Sequence, residues 1–237
     1  MSHTSHPYAI RLGILRAWKS RWFNEKEYRA LLREDLEIRK FLEKKLFGMA
    51  VDSIEIERSP ATISIFIKTA RPGLIIGRGG EGIEKLKREI HELIVKVRKD
   101  IALIRHNPKE VRKSFSAKLR SQELRLSVEE IKSPEMHARI MLEQVAQDLE
   151  KRLPFRRVMK QTISKIMASR SVSGAKISFA GRLDGSEMAR FEWLKEGKVP
   201  LQTLRADVDF AVGKAHLPYG DIGIKIWIYR GEVFNKK

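Results

Sequence analysis

The chain has 237 residues, with 48 lysine or arginine residues and 30 aspartate or glutamate residues, so its formal net charge is +18. This length predicts one or two domains, and a hydrophobic content of 42% excludes a disordered basic tail. The charge predicts a polyanionic partner, and nucleic acid is favoured over lipid because the basic residues flank no long apolar segment. The absence of cysteine excludes disulfides, thiolate metal sites and thiol nucleophiles.

The first residues of the chain do not predict a signal peptide. Residues 1–9 lack the apolar core of a signal peptide. No run in the sequence approaches the roughly 18 apolar residues that a membrane span requires. We therefore expect a cytoplasmic protein with no membrane partner.

The first half of the chain predicts a helix, a β-hairpin and a second long helix. Residues Arg29–Phe47 carry apolar side chains on one stripe and are followed by Gly48, which is typical of an amphipathic helix with a glycine stop. Residues Asp52–Arg58 and Ala61–Lys68 each alternate apolar and polar side chains, as the two strands of a hairpin do. A glycine cluster that begins at Gly77 precedes the second helix.

A basic insertion is predicted between this helix and a third strand. Residues 96–122 contain nine basic and two acidic residues, and their apolar periodicity is weak. Alternation resumes at Leu124, Leu126 and Val128, which predicts the strand. The insertion is expected to be a peripheral arm that contacts RNA, because its charge is high and its amphipathic order is low.

The second half predicts two helices packed on a four-stranded, mainly antiparallel sheet. Ser133 and Pro134 are predicted to open the first helix, and Pro154 the second. The second of the four strand segments also fits a short helix, but Arg190 and Glu192 interrupt its apolar positions at strand period. The alternating positions are Ile177 and Phe179; Ala189, Phe191 and Trp193; Leu204, Ala206, Val208 and Phe210; and Ile222, Ile224, Ile226 and Ile228.

A stretch from Lys151 to Leu183 holds nine basic residues and no acidic residue. Solvated helix faces usually mix both signs, so this stretch favours a binding surface over a merely soluble one. At 100° per residue, Arg156, Arg157 and Lys160 fall on a different arc of their helix from its apolar stripe.

The glycine cluster fits two motifs. As Gly77-x-Gly79-x-x-Gly82 it matches the dinucleotide fingerprint, which needs an acidic residue about 20 residues further on, where this chain is basic. As Gly77-Arg78-Gly79-Gly80 it matches the GXXG loop of a KH domain, which clamps the backbone of a single strand. A glycine-rich turn without a ligand is the third interpretation. The order helix, hairpin, loop, helix and strand resembles the prokaryotic, or type II, KH fold.

Further sequence blocks, which cover nearly the whole chain, resemble the bacterial small-subunit ribosomal protein S-three family. The blocks follow the order of that family, and they are specific only when taken together. They are His6-Pro7 with Ile10–Gly13, Trp18–Phe23, Thr69–Gly73, Phe155–Arg157, Gly181–Gly185, Ala189-Arg190 with Glu192-Trp193, Gly197–Leu201, Thr203–Asp207, and Tyr219-Gly220 with Gly223.

The resemblance implies a structural constituent of the head of the small ribosomal subunit, bound to its rRNA and adjoining the proteins S-ten and S-fourteen. It also implies that the C-terminal domain, with S-four and S-five, frames the channel through which mRNA enters. Residues Arg156, Arg157 and Lys160 would then face mRNA and assist its unwinding. The KH loop, Gly77–Gly80, would bind RNA. The remaining basic residues of the acid-free stretch are candidates to face rRNA: Lys151, Arg152, Lys165, Arg170, Lys176 and Arg182.

Enzymatic interpretations find little support in the sequence. Asp207 and Asp209 lie two apart on a predicted strand and could hold Mg²⁺ as in a nuclease, but their alternation with apolar residues favours a polar strand face. Possible third ligands are Asp184, Glu187 and Asp221. No phosphate-binding GKS or GKT sequence and no GxSxG elbow occurs. We predict no catalytic residue, metal or cofactor, and the competing classes remain a ribosomal component, a free KH-type RNA regulator and a nuclease.

The predicted fold class is α+β, with three regions. Residues 1–24 form an N-terminal extension. Residues 25–132 form a type II KH domain that includes the insertion at about 96–122. Residues 133–237 form a C-terminal domain with helices on one face of its sheet.

Overall fold

The computed structural model describes residues 5–104 and 123–234. The chain divides into two compact units, one formed by Lys19–Ile131 and the other by Met1–Trp18 together with Lys132–Lys237. Within the described ranges, no helix combines the length and the apolar character that crossing a bilayer requires.

The helices and strands alternate in an order that fits two α+β units. In chain order they are α1 (Pro7–Ile10), β1 (Ser20–Arg21), α2 (Tyr28–Lys45), β2 (Val51–Arg58), β3 (Thr62–Thr69), α3 (Pro72–Ile76), α4 (Glu81–Ile104), β4 (Glu123–Glu130), α5 (Ala138–Glu150), α6 (Phe155–Met167), β5 (Gly174–Gly181), β6 (Arg190–Gly197), β7 (Ala206–Leu217) and β8 (Gly220–Glu232).

The first unit contains the predicted hairpin and third strand of the KH fold. Strands β2 and β3 pair antiparallel, β4 adds parallel to β3, and the short β1 adds parallel to β2. Alternate side chains of the strands enter a core that is completed by α2 and α4, as period-two and helical patterns dictate. Its most buried members include Ile38, Leu42, Ile56, Ile65, Ile67 and Ile90.

A buried network of charges ties α2 to α4 in this unit. The Glu34 carboxylate accepts hydrogen bonds from Arg98 Nε at 2.7 Å and from Arg58 Nη1 at 2.9 Å. Asp35 accepts from the other guanidinium nitrogens of Arg58. Each carboxylate is fully buried, and a buried ion pair of this kind is costly to break because the remaining charge loses its partner.

This network bears on the predicted basic insertion at 96–122. Helix α4 continues to Ile104, and within it Val97 and Arg98 are buried. The first part of the segment is therefore the end of helix α4, packed on α2. There Val97 and Arg98, which pairs with Glu34, continue the buried face of α4. Residues 105–122, the rest of the predicted insertion, lie outside the described residues.

The second unit has the predicted C-terminal architecture. Its sheet has the strand order β6-β5-β8-β7 and is antiparallel throughout. Helices α5 and α6 pack on one face, where their apolar stripes meet the buried isoleucines of β8 and the alternating apolar residues of β5. The segment Arg190–Gly197, which fitted either strand or helix, is strand β6.

The start of α5 differs from the sequence prediction. A 3₁₀ turn at Pro134–Met136 intervenes, and Ser133 makes no side-chain capping bond. The first helical residue is Ala138, whose backbone N–H donates to the Asp209 carboxylate at 2.9 Å. An acidic side chain from a strand 71 residues away thus occupies the helix N-terminus, where the helix dipole favours negative charge.

The N-terminal segment is anchored to this unit by a buried arginine. The Arg11 side chain is only 1% exposed, and its guanidinium donates to the carbonyls of Pro7, Leu201, Thr203 and Ala206. Burial lowers the pKa of Arg11 below its ordinary value. Within the predicted N-terminal extension 1–24, the described part up to Trp18 packs with the C-terminal unit.

Candidate nucleic-acid interface

The GXXG sequence forms a tight connection between α3 and α4. A 3₁₀ turn at Arg78–Gly80 links the two helices. Gly77, Gly79 and Gly80 have φ values of +72°, +61° and +83°, which side-chain-bearing residues rarely adopt. The backbone geometry of this loop therefore requires the glycines that the motif supplies.

A fourth glycine sets how closely the two helices approach. A Cβ on Gly82 would lie 2.6 Å from the Ile75 carbonyl oxygen and 2.8 Å from that of Ile76, so no other residue fits without a shift. Around Gly79 and Gly80, by contrast, the space that a side chain would fill is open. The loop thus presents accessible backbone beside an exposed Arg78, which is the geometry that a sugar-phosphate chain can approach closely.

The basic arc of α6 is exposed on a helix whose other side is fixed in the core. Arg156, Arg157 and Lys160 are exposed and lie within two turns of one another. The buried side chains of the same helix hold its position against the sheet; they are Phe155, Val158, Met159, Thr162, Ile163 and Ile166. The apolar stripe predicted from the sequence is confirmed, and the three charges share one rigid surface.

Arg156 has a partner that the sequence did not reveal. Its Nη2 lies 3.6 Å from the Glu192 carboxylate on β6, and its guanidinium lies 5.6 Å from the Phe155 ring centroid. The Arg156 side chain is 73% exposed, and exposed ion pairs contribute little free energy. The pair therefore leaves Arg156 available to a phosphate.

Asp184 supports the N-terminus of α6 rather than a metal. Its carboxylate accepts a hydrogen bond from the Phe155 backbone N–H at 3.3 Å, within the turn Leu183–Gly185 that follows β5. The residue has a φ of +52°, which aspartate tolerates better than most residues. An Asp-Gly pair is typical of a turn, but periodicity could not indicate that this turn caps α6.

The other basic residues of the acid-free stretch are distributed over the unit. Lys151 and Arg152 follow the last turn of α5, Lys165 lies in the last turn of α6, and Arg170 comes after it; all four are exposed. Arg182 is held locally, since it donates to the carbonyls of Ser186 and Tyr219. Lys176 alternates with buried neighbours on β5 and so lies on the sheet face opposite the helices.

Three of the acidic residues considered for Mg²⁺ pair with basic side chains. Asp207 pairs with Arg16 at 2.6 Å, and Asp209 pairs with Arg230 at 3.1 Å besides capping α5. Asp221 accepts a hydrogen bond from His216 at 2.8 Å, which, with the nearby Lys214, lowers the pKa of Asp221. These contacts are the ones that the polar-strand interpretation expects.

Comparisons with known proteins bear on both units. The family model described as "KH domain" matches residues 37–136, and "Ribosomal protein S3, C-terminal domain" matches residues 145–228. Among curated relatives, "Small ribosomal subunit protein uS3" of Lawsonia intracellularis is 42% identical over 100% of this chain and 99% of its own length. The protein of the same name from Endomicrobium trichonymphae is 43% identical over 100% of this chain and 90% of its own.

Proposed function

The chain belongs to the family of small ribosomal subunit protein uS3, a structural and not an enzymatic component, and from this premise we propose that α6 lines the mRNA channel. Family membership makes the chain a ribosomal protein that binds the rRNA of the small subunit. The proposal adds that Arg156, Arg157 and Lys160 face incoming mRNA and assist the separation of its base pairs.

The exposed basic arc on a rigid helix is the observation that carries this proposal. Arginine and lysine can hold the phosphates of an unpaired strand without reading its bases, which suits a channel that must pass every sequence. Binding an unpaired strand more tightly than a duplex shifts the equilibrium of a hairpin toward its open state. Helix α6 needs no movement to do this, because its apolar side is locked in the core.

The KH loop and the remaining basic residues complete the proposal. Gly77–Gly80 would clamp an rRNA backbone, with Arg78 as a charged donor to phosphate. The further candidates to face rRNA are Lys151, Arg152, Lys165, Arg170, Lys176 and Arg182. The neighbours would be S-ten, S-fourteen, S-four and S-five, and the particle would be a cytoplasmic ribosome, as the family resemblance implies.

Translation of structured and unstructured messages tests the role of α6. Small subunits that carry Arg156→Ala, Arg157→Ala and Lys160→Ala together should translate slowly through a stable hairpin and at nearly normal speed on an unstructured message. A matched variant with Arg156→Lys and Arg157→Lys keeps the charge and should retain most of the unwinding.

Two outcomes would contradict the unwinding role. Equal slowing on both messages would show that the residues do not act on base-paired mRNA. Loss of the triple variant from purified small subunits, detected by sedimentation, would assign the three charges to assembly.

A further inference from the structure

The face of the C-terminal sheet that points away from α5 and α6, here called the outer face, carries an ordered set of aromatic and basic side chains. Register places its residues in three rows that cross the strands in the order β7, β8, β5 and β6. The rows are Phe210, Trp227, Lys176 and Lys195; Val212, Lys225, Ser178 and Trp193; and Lys214, Gly223, Ala180 and Phe191.

These twelve positions combine four lysines with four aromatic residues and contain no acidic residue. Only at the border of the outer face does an acid occur, where Asp221 lies 3.7 Å from Lys214. The opposite face of β6 is acidic by comparison, since Glu192 and Glu196 alternate with the aromatic positions. The lysines of these strands and their exposed aromatic side chains thus lie on one side of the sheet.

Small residues occupy the middle of the outer face. Ser178, Ala180 and Gly223 lie side by side on β5 and β8; Ser178 is nearly covered, at 2% exposed, whereas Ala180 is exposed. Beside them on β6 stand Trp193, 54% exposed, and Phe191, 61% exposed. A flat ring can therefore stack against the exposed face of either aromatic side chain.

Lys176 fixes the geometry of the two tryptophans. Its Nζ lies 4.9 Å from the Trp193 ring centroid and 5.2 Å from that of Trp227, so one ammonium engages both indoles through cation–π attraction. Trp227 is further braced by Phe210 at 5.1 Å. The aromatic platform is accordingly ordered before any ligand arrives, which reduces the entropy lost on binding.

We propose that the outer face binds an unpaired segment of rRNA, with bases stacked on Trp193 and Phe191 and phosphates held by Lys195 and Lys225. Aromatic platforms interleaved with lysine are the means by which sheets hold single strands without sequence preference. Protein interfaces are depleted in lysine, so four lysines among twelve positions favour a polyanion over a protein partner.

Stacking also favours rRNA over mRNA as the occupant. A stacked base must unstack before its strand can move, which suits a segment held in place and opposes a message that slides. The proposal rests on the rRNA binding of the family and not on the mRNA-channel role of α6, which lies on the other side of the sheet.

Tryptophan fluorescence of the full chain tests stacking in solution. Single-stranded oligouridylate should quench the fluorescence, whereas an RNA duplex, whose bases are already stacked, should quench it far less. Trp193→Ala should lose most of the quenching and weaken binding by about tenfold, a typical effect of losing one stacking platform. Met188→Ala, which removes an exposed apolar side chain just outside β6, is the matched control and should change neither the quenching nor the affinity.

A photoreactive benzophenone amino acid at position 193 or 157 then identifies the occupant in assembled subunits. We expect position 193 to cross-link to rRNA and position 157 to mRNA. Quenching that Trp193→Ala leaves intact, or a cross-link from position 193 to mRNA, to a protein or to nothing, would overturn the inference. Failure of position 157 to reach mRNA would count against the proposed role of α6 alone.

Discussion

Asp184 holds the first residue of α6, because its carboxylate accepts the Phe155 backbone N–H at 3.3 Å across 29 residues of chain. The turn after β5 is thereby joined to the helix that presents the basic arc. Asp184 thus holds the backbone of Phe155, while the Phe155 side chain is buried in the core. Arg156 and Arg157 follow directly after this junction.

Replacing Asp184 separates its capping role from its charge. Asp184→Asn keeps the acceptor and the tolerance for positive φ, so the midpoint of thermal unfolding should stay near that of the parent chain. Asp184→Ala loses the cap and should lower the free energy of unfolding by about 1 kcal/mol. Equal destabilisation by both variants would show that charge, not capping, matters.

The buried Arg11 should not tolerate conservative replacement. The guanidinium of Arg11 donates hydrogen bonds to the carbonyls of Pro7, Leu201, Thr203 and Ala206. Arg11→Lys would put a single ammonium in its place. Because some of these acceptors would lose their donor, we expect a loss of about 2–4 kcal/mol, measured by urea unfolding. A change within error would mean that water replaces the lost bonds. Arg205→Lys, on an exposed arginine, is the control and should be nearly neutral.

Two deletions locate the border between the KH core and the basic insertion. Replacing residues 105–122 with a Gly/Ser bridge should leave the urea midpoint nearly unchanged, since the buried face of α4 is retained. Extending the deletion to Lys96 removes Val97 and Arg98 and should prevent cooperative folding of the unit. The single change Arg98→Ala should already cost about 3 kcal/mol, because Glu34 loses one of its two buried partners. Tolerance of the longer deletion would show that the helix end is dispensable.

RNA binding by the isolated chain should depend steeply on salt. Each phosphate contact with a single strand contributes a slope of roughly −0.7 in log K against log salt concentration. If each of the three α6 charges holds one phosphate, replacing all three with Ala should make the slope less steep by about 2. The slope is measured from the anisotropy of a labelled oligonucleotide at several KCl concentrations. A flat dependence in the parent chain would contradict electrostatic binding.

Charge reversal in the KH loop tests whether the loop binds RNA. Arg78→Asp places negative charge beside the expected phosphate and should weaken single-strand binding, while the circular dichroism spectrum stays the same because the side chain is exposed. The matched variant Lys40→Asp reverses an exposed charge on α2 and should have a smaller effect. Unchanged binding by Arg78→Asp would leave the loop as a turn without a ligand.

Much of the fold could be predicted from the sequence, because local periodicity reports which face of an element is buried. The alternation around Ile63, Ile65 and Ile67 indicated a strand, and the spacing of Val158, Ile163 and Ile166 indicated the inward side of α6. The same spacing separated the basic arc from the core. The glycines of the KH loop were equally informative, since only glycine readily adopts the backbone angles found there.

Only the tertiary structure decided which distant groups meet. The cap of α5 by Asp209, the cap of α6 by Asp184 and the burial of Arg11 join residues far apart in sequence. The outer face also needed the strand order, because Trp227, Lys176 and Lys195 become neighbours only when β5 lies between β8 and β6. A periodic pattern shows which side of one element is buried, but strand pairing determines what lies beside it, and that pairing depends on the packing of the whole unit.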